Sequence, residues 1–159
     1  MKGAFVIPVL LACILIGCET TPEAVVPTFT KEQLMDPESC RECHAAHVAQ
    51  WEGSMHAYAS IDPVFLAMNA RGQRETNGEL GDFCVQCHAP MALRLGLTTD
   101  GLNLPDLPKY VQGVTCYFCH SAASVEGAHN APITLADDGV MRGGYHDPVP
   151  NTAHALRVP

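Results

Sequence analysis

The string Cys-x-x-Cys-His occurs three times in this chain, as Cys40-Arg-Glu-Cys43-His44, Cys84-Val-Gln-Cys87-His88 and Cys116-Tyr-Phe-Cys119-His120. On a helical turn, positions i, i+3 and i+4 share a face, so each string offers two thiols and an imidazole to a single object. Thiolates are nucleophiles and metal ligands, and imidazole is the commonest side-chain ligand of transition metals. With Cys and His each at a few per cent of residues, one such string arises by chance on the order of once per hundred thousand positions. Three in one chain are no coincidence.

Two objects could be held this way. Cys-x-x-Cys pairs supply half of a tetrahedral zinc site, and six cysteines with three histidines could build zinc centres. A zinc ribbon does not need His directly after every second Cys, however, whereas covalent haem attachment does. Two sulfurs add to the vinyl groups of one macrocycle, and the adjoining imidazole ligates its iron from below. The strings therefore read as three haem c groups, bonded through Cys40, Cys43, Cys84, Cys87, Cys116 and Cys119, with His44, His88 and His120 as proximal iron ligands. The remaining cysteines are Cys13 and Cys18. A secreted chain often spends six cysteines on disulfides, but pairs this close, each followed by His, are not a disulfide framework.

Five histidines lie outside the strings, and in falling order His56, His129, His146, His154 and His47 are candidate distal ligands. His56 is favoured because the stretch after the first string carries it away from its own haem toward a neighbour. His47 sits about one turn beyond His44 and points off that haem's axis. Nothing in the sequence pairs a given ligand with a given iron. Methionine would raise the potential, but Met35, Met55, Met68, Met91 and Met141 read as apolar filling. Two histidines per iron close both axial positions and leave one-electron transfer as the chemistry. The rival function, a small multihaem oxidoreductase acting on nitrite, hydroxylamine or a sulfur compound, needs one open iron, and the surplus of histidines argues against it.

The elements that must position these groups are short. Thr30 and Gln33 suit a capping box, and Asp36-Pro37 offers a helix start leading into Cys40. Ala45 to His56 is helix-compatible, with Gly53 its weak point, and His44, Val48, Trp51 and Met55 would share a face packed on haem. Asp62-Pro63 starts a helix that Gly72 can close, followed by a polar loop through residue 81. Gly81-Asp82 is a cap for the turn carrying Cys84. Residues 95–108 read as loop, and residues 133–142 as a hairpin turning at Asp137-Asp138-Gly139. The fold expected is mainly α with much irregular loop, its short helices and loops wrapped around bound haems, plus that one small β-hairpin. So thin a core suits a chain that collapses around large apolar macrocycles.

The N-terminus reads as a secretory leader: Lys2 gives the positive charge, and Ala4 to Ile16 form an apolar run short of the about 20 residues that span a bilayer. Leu15-Ile16-Gly17-Cys18 resembles the lipobox of bacterial lipoproteins, which implies a lipidated Cys18 and an anchor in the membrane. The expected organisation is a leader over 1–17, a lipid-anchored tether over 18–30 and a triheme cytochrome domain over 31–159. The full chain carries 9 Lys and Arg against 17 Asp and Glu. Losing the leader removes only Lys2, so the mature chain is still more acidic. Nucleic acid is a poor partner for such a surface, and a redox protein with a basic docking patch a good one. The setting expected is the cell envelope, on its periplasmic or cell-surface side.

Around the strings the sequence is more specific. Cys40-x-x-Cys-His-x-x-His-x-x-x-Trp51-x-x-Ser54-x-His56-Ala57, then Phe83-Cys-Val-Gln-Cys-His-Ala-Pro90, then Gly113-Val-Thr-Cys-Tyr-Phe-Cys-His120, resemble the cytochrome c-552/c-554 family of multihaem cytochromes, from about Cys40 to His154. The resemblance implies haems in close pairs, the Ser-x-His histidine, here His56, on a haem other than its own, and electron relay to partner oxidoreductases. Relatives usually carry four or more haems, so it also leaves open a chain cut short, with His154 and His146 serving a further haem.

Overall fold

The computed structural model describes residues 29–136, 138 and 141–143. The leader, Cys18, the tether up to Pro27-Thr28, His146 and His154 lie outside them. Thr30 and Gln33 form the expected capping box, each side chain bonding the other's backbone N–H, and open α1, Lys31–Met35. Asp36 then accepts from the Glu38 N–H, and with Pro37 at the first position starts a 3₁₀ turn, Pro37–Cys40, that delivers the first string.

Helix α2, Arg41–Glu52, kinks at His44, where the backbone leaves helical geometry. It stops at Gly53, the weak point, and a separate short helix α3, Met55–Tyr58, follows. That break corrects the expected face: Val48 is buried, but Met55 is 69% exposed because the chain has changed direction before reaching it.

Helix α4, Pro63–Glu75, begins as expected, with Asp62 accepting from the Phe65 N–H and Pro63 in the first turn. Gly72 does not close it. The helix runs on to Thr76, whose hydroxyl donates to the Gly72 carbonyl at 2.9 Å. Gly72 instead makes room, since a Cβ there would lie 2.6 Å from Leu80 Cδ2.

Helices α5, Val85–His88, and α6, Pro90–Arg94, carry and follow the second string. Gly81-Asp82 is no N-cap for α5, which has none from a side chain; the Asp82 carboxylate accepts instead from Gln86 Nε2 at 2.9 Å. Residues 95–108 are loop apart from a 3₁₀ turn, Leu104–Asp106, with another at Lys109–Val111. Helix α7, Cys116–His120, is the third string itself.

One small antiparallel hairpin is present, but not where the turn signals put it. Strand β1, Ala122–Val125, pairs with β2, Ile133–Leu135, so the connection is 126–132, while Asp137 and Gly139 of the expected turn lie outside the described residues. The segment 133–135 was a strand by composition, and its partner proved to be the chain immediately after the third string.

The architecture is thus mainly α with much irregular loop and one hairpin. Its core gathers Leu34 and Met35 of α1, Phe65, Val85, Ala89, Met91, Leu104, Val111, Tyr117 and Phe118. Burial of a Leu, Val or Phe side chain contributes about 1.5–3 kcal/mol, and Leu104, Val48, Val85 and Val111 head the fully buried set. That is a small core.

Candidate haem-attachment sites

The second and third strings each sit on one short helical turn, while the first spans the end of the 3₁₀ turn and the start of α2 with its kink at His44; all three expose their two thiols unequally and in the same order. The first cysteine of every pair, Cys40, Cys84 and Cys116, is half-buried, and the second, Cys43, Cys87 and Cys119, is exposed; none of the six is joined in a disulfide. What lies between the cysteines differs. Val85 of the second string, and Tyr117 and Phe118 of the third, point into the core. Arg41 of the first stays at the surface and pairs with Glu38 and Glu52, both at 2.6 Å.

The stretch from Trp51 to Ser60 ties the strings together. The Trp51 indole N–H donates to the Val114 carbonyl at 2.8 Å, and the Val114 N–H to the His56 carbonyl at 2.8 Å. Ser60 Oγ accepts from the Gly113 N–H at 2.8 Å. Gly113 is required here: its φ is +66°, and a Cβ would fall 2.3 Å from the His56 carbonyl oxygen and 2.8 Å from that of Ala57. The chain after the first string is thereby locked onto the lead-in to the third.

The same stretch reaches the second string. His88 Nδ1 bonds the Ala59 carbonyl at 2.8 Å. With a carbonyl as partner the nitrogen must donate, which leaves Nε2 as the ligating atom. The Phe65 ring lies on the His88 imidazole, centroids 3.9 Å apart and planes 4° from parallel. His120 is held from the other direction, its Nδ1 bonding the Arg142 carbonyl at 2.5 Å while the Arg142 N–H donates to the His120 carbonyl at 2.6 Å. Arg142 also pairs with Asp138 at 2.5 Å. The His44 ring meets that of His47 edge-on, at 5.8 Å.

The Cys40 and Cys116 thiols perturb each other, Cys116 chiefly holding the Cys40 thiol's pKa up and Cys40 chiefly holding that of Cys116 down. Partial desolvation pushes the Cys119 thiol up.

Of the candidate distal ligands, His56 is exposed on α3, carried off the first string and docked by its carbonyl beside the lead-in to the third. His47 stays beside His44. His129 is exposed, and its neighbour Asn130 places it at the second string rather than by the third: Cys87 Sγ donates to Asn130 Oδ1 at 3.4 Å, and Asn130 Nδ2 donates to the Phe83 carbonyl and Gln86 Oε1, both at 3.0 Å. His146 and His154 are not among the described residues. Sequence reasoning missed Ala59, Ser60, Phe65 and Asn130. Ala59 acts through its carbonyl, which no side chain advertises; Phe65 had a signal, lying three residues after the Asp62 cap.

The donor set fits haem. Two thiols and one imidazole fall within five residues in each string, and large apolar side chains are exposed on the described surface, Phe83 beside Cys84 at 59% among them. Such surface suits an apolar plate. Among the described residues no three His, Cys, Asp or Glu are grouped so as to hold a bare metal ion. Nor is any described helix long and apolar enough to cross a membrane.

The profile of the cytochrome c554 and c-prime family matches residues 39–121, a stretch covering more than half of the chain and all three strings. No curated protein and no solved structure matches the chain.

Proposed function

Because the chain belongs to the cytochrome c554 and c-prime family, and so is a c-type cytochrome of electron transport with covalent haem c, we propose that it carries three haems and relays electrons between redox partners at the cell envelope. The observation that carries this reading is the stretch from Trp51 to Ser60, which ties the chain after the first string to the lead-in of the third through the His56 carbonyl and to the second string through the Ala59 carbonyl. Three attachment strings held by one short stretch keep their redox groups near one another, which serves electron passage.

When bound, haem supplies reversible one-electron chemistry at iron, tuned by its axial ligands and surroundings. The chain's part is to hold and orient. Cys40 and Cys43, Cys84 and Cys87, and Cys116 and Cys119 are the thioether anchors, and His44, His88 and His120 the proximal ligands. The Ala59 and Arg142 carbonyls hold the Nδ1–H of His88 and His120, turning Nε2 outward and raising its basicity. His56 is the foremost distal ligand, for an iron other than that of its own string, followed by His129, His146, His154 and His47. The same reading includes export, a lipid on Cys18 and an acidic surface suited to a partner's basic patch.

Carbon monoxide tests it against the open-iron reductase. Added to the reduced protein it should leave the Soret band in place, whereas a clear shift would reveal an open iron and favour an enzyme. Cys18→Ser should release the protein from membranes; continued attachment would remove the lipid anchor from the account.

A further inference from the structure

We infer that Phe65 is a positioning residue for His88, fixing the orientation of the imidazole and with it the electronic signature of the haem on the second string. The inference rests on the reading that this string holds a haem, and adds to it a residue that neither the motif nor the family match assigns.

The argument starts at Asp62. Its carboxylate accepts from the Phe65 N–H at 2.8 Å, and Pro63 stiffens the turn, so the cap sets where the Phe65 backbone lies. The Phe65 side chain is 9% exposed and belongs to the core, so its ring cannot swing away. The same short stretch supplies the Ala59 carbonyl that holds His88 Nδ1 at 2.8 Å.

The two restraints are complementary. A hydrogen bond fixes one point and one direction of an imidazole but lets the ring pivot about the N–H···O axis. A parallel ring at 3.9 Å and 4° removes that pivot, because turning the imidazole would drive its edge into the face of Phe65. His120 has the carbonyl restraint from Arg142, and His44 meets His47 edge-on. The plane of a ligating imidazole decides how its π electrons meet the iron, so a ring that holds the plane tunes the metal without touching it.

The test uses purified, fully matured protein. Phe65→Leu should retain three haems by intact mass, yet shift the g-values of one ferric signal in low-temperature electron paramagnetic resonance, leaving the other signals unchanged. Phe65→Tyr, which keeps the ring, should restore the wild-type spectrum. Should Phe65→Leu fail to mature, Phe65→Met, of similar volume and without a ring, takes its place. An unchanged spectrum in a fully loaded ringless variant overturns the inference, as does a Tyr variant as altered as the ringless one. A wild-type protein with no haem on the peptide holding Cys84 and Cys87 overturns the underlying reading instead.

Discussion

Arg41 and Glu42 fill the gap of the first string, and Tyr117 and Phe118 that of the third. One turn is fastened at the surface by a guanidinium between Glu38 and Glu52; the other is driven into the core by two aromatic rings. Their first cysteines nevertheless perturb each other's thiol. The same chemical motif is thus mounted in two ways, one by burial and one by ion pairs, and the residues the motif leaves free decide which. Since exposed ion pairs contribute little and buried aromatics much, the third string should be the more rigid of the two.

Truncating the core mount should have the largest effect. Phe118→Ala removes a ring that is 9% exposed, and should lower stability by about 3–5 kcal/mol, read from denaturant unfolding followed through haem absorption. A loss below about 1 kcal/mol would mean that the third turn is not held by its core side chains. Gly113→Ala should come next, at about 2 kcal/mol or more, since it adds left-handed strain to a backbone collision. Its unfolding should also loosen the first string from the third, which a wild-type midpoint would deny. Arg41→Gln should be smallest, leaving the unfolding midpoint where it was. A large drop there would erase the contrast between the two mounts.

Much of this was legible in the residues, and what was not has physical reasons. The strings announced their helical turns because chemistry fixes their spacing. Thr30 with Gln33, Asp36-Pro37 and Asp62-Pro63 marked helix starts because caps act within three residues. Gly72 misled because a glycine that makes room for Leu80 looks like one that ends a helix. The hairpin went astray because Asp137-Asp138-Gly139 is a local turn signal, while the pairing of Ile133–Leu135 with Ala122–Val125 depends on where the third string delivers the chain. Least visible was the hub at residues 51–60, where carbonyls of His56 and Ala59 and one serine hydroxyl join the Trp51 indole in reaching residues 29 to 63 positions away.

The central claim is that all three strings carry covalent haem. Intact mass of the matured protein, with haem-bearing peptides mapped after digestion, tests it most directly. The account predicts three haem masses above the polypeptide and lipid, one on each peptide containing Cys40 and Cys43, Cys84 and Cys87, or Cys116 and Cys119. Free thiols at any of these pairs, or zinc in place of iron, would contradict it.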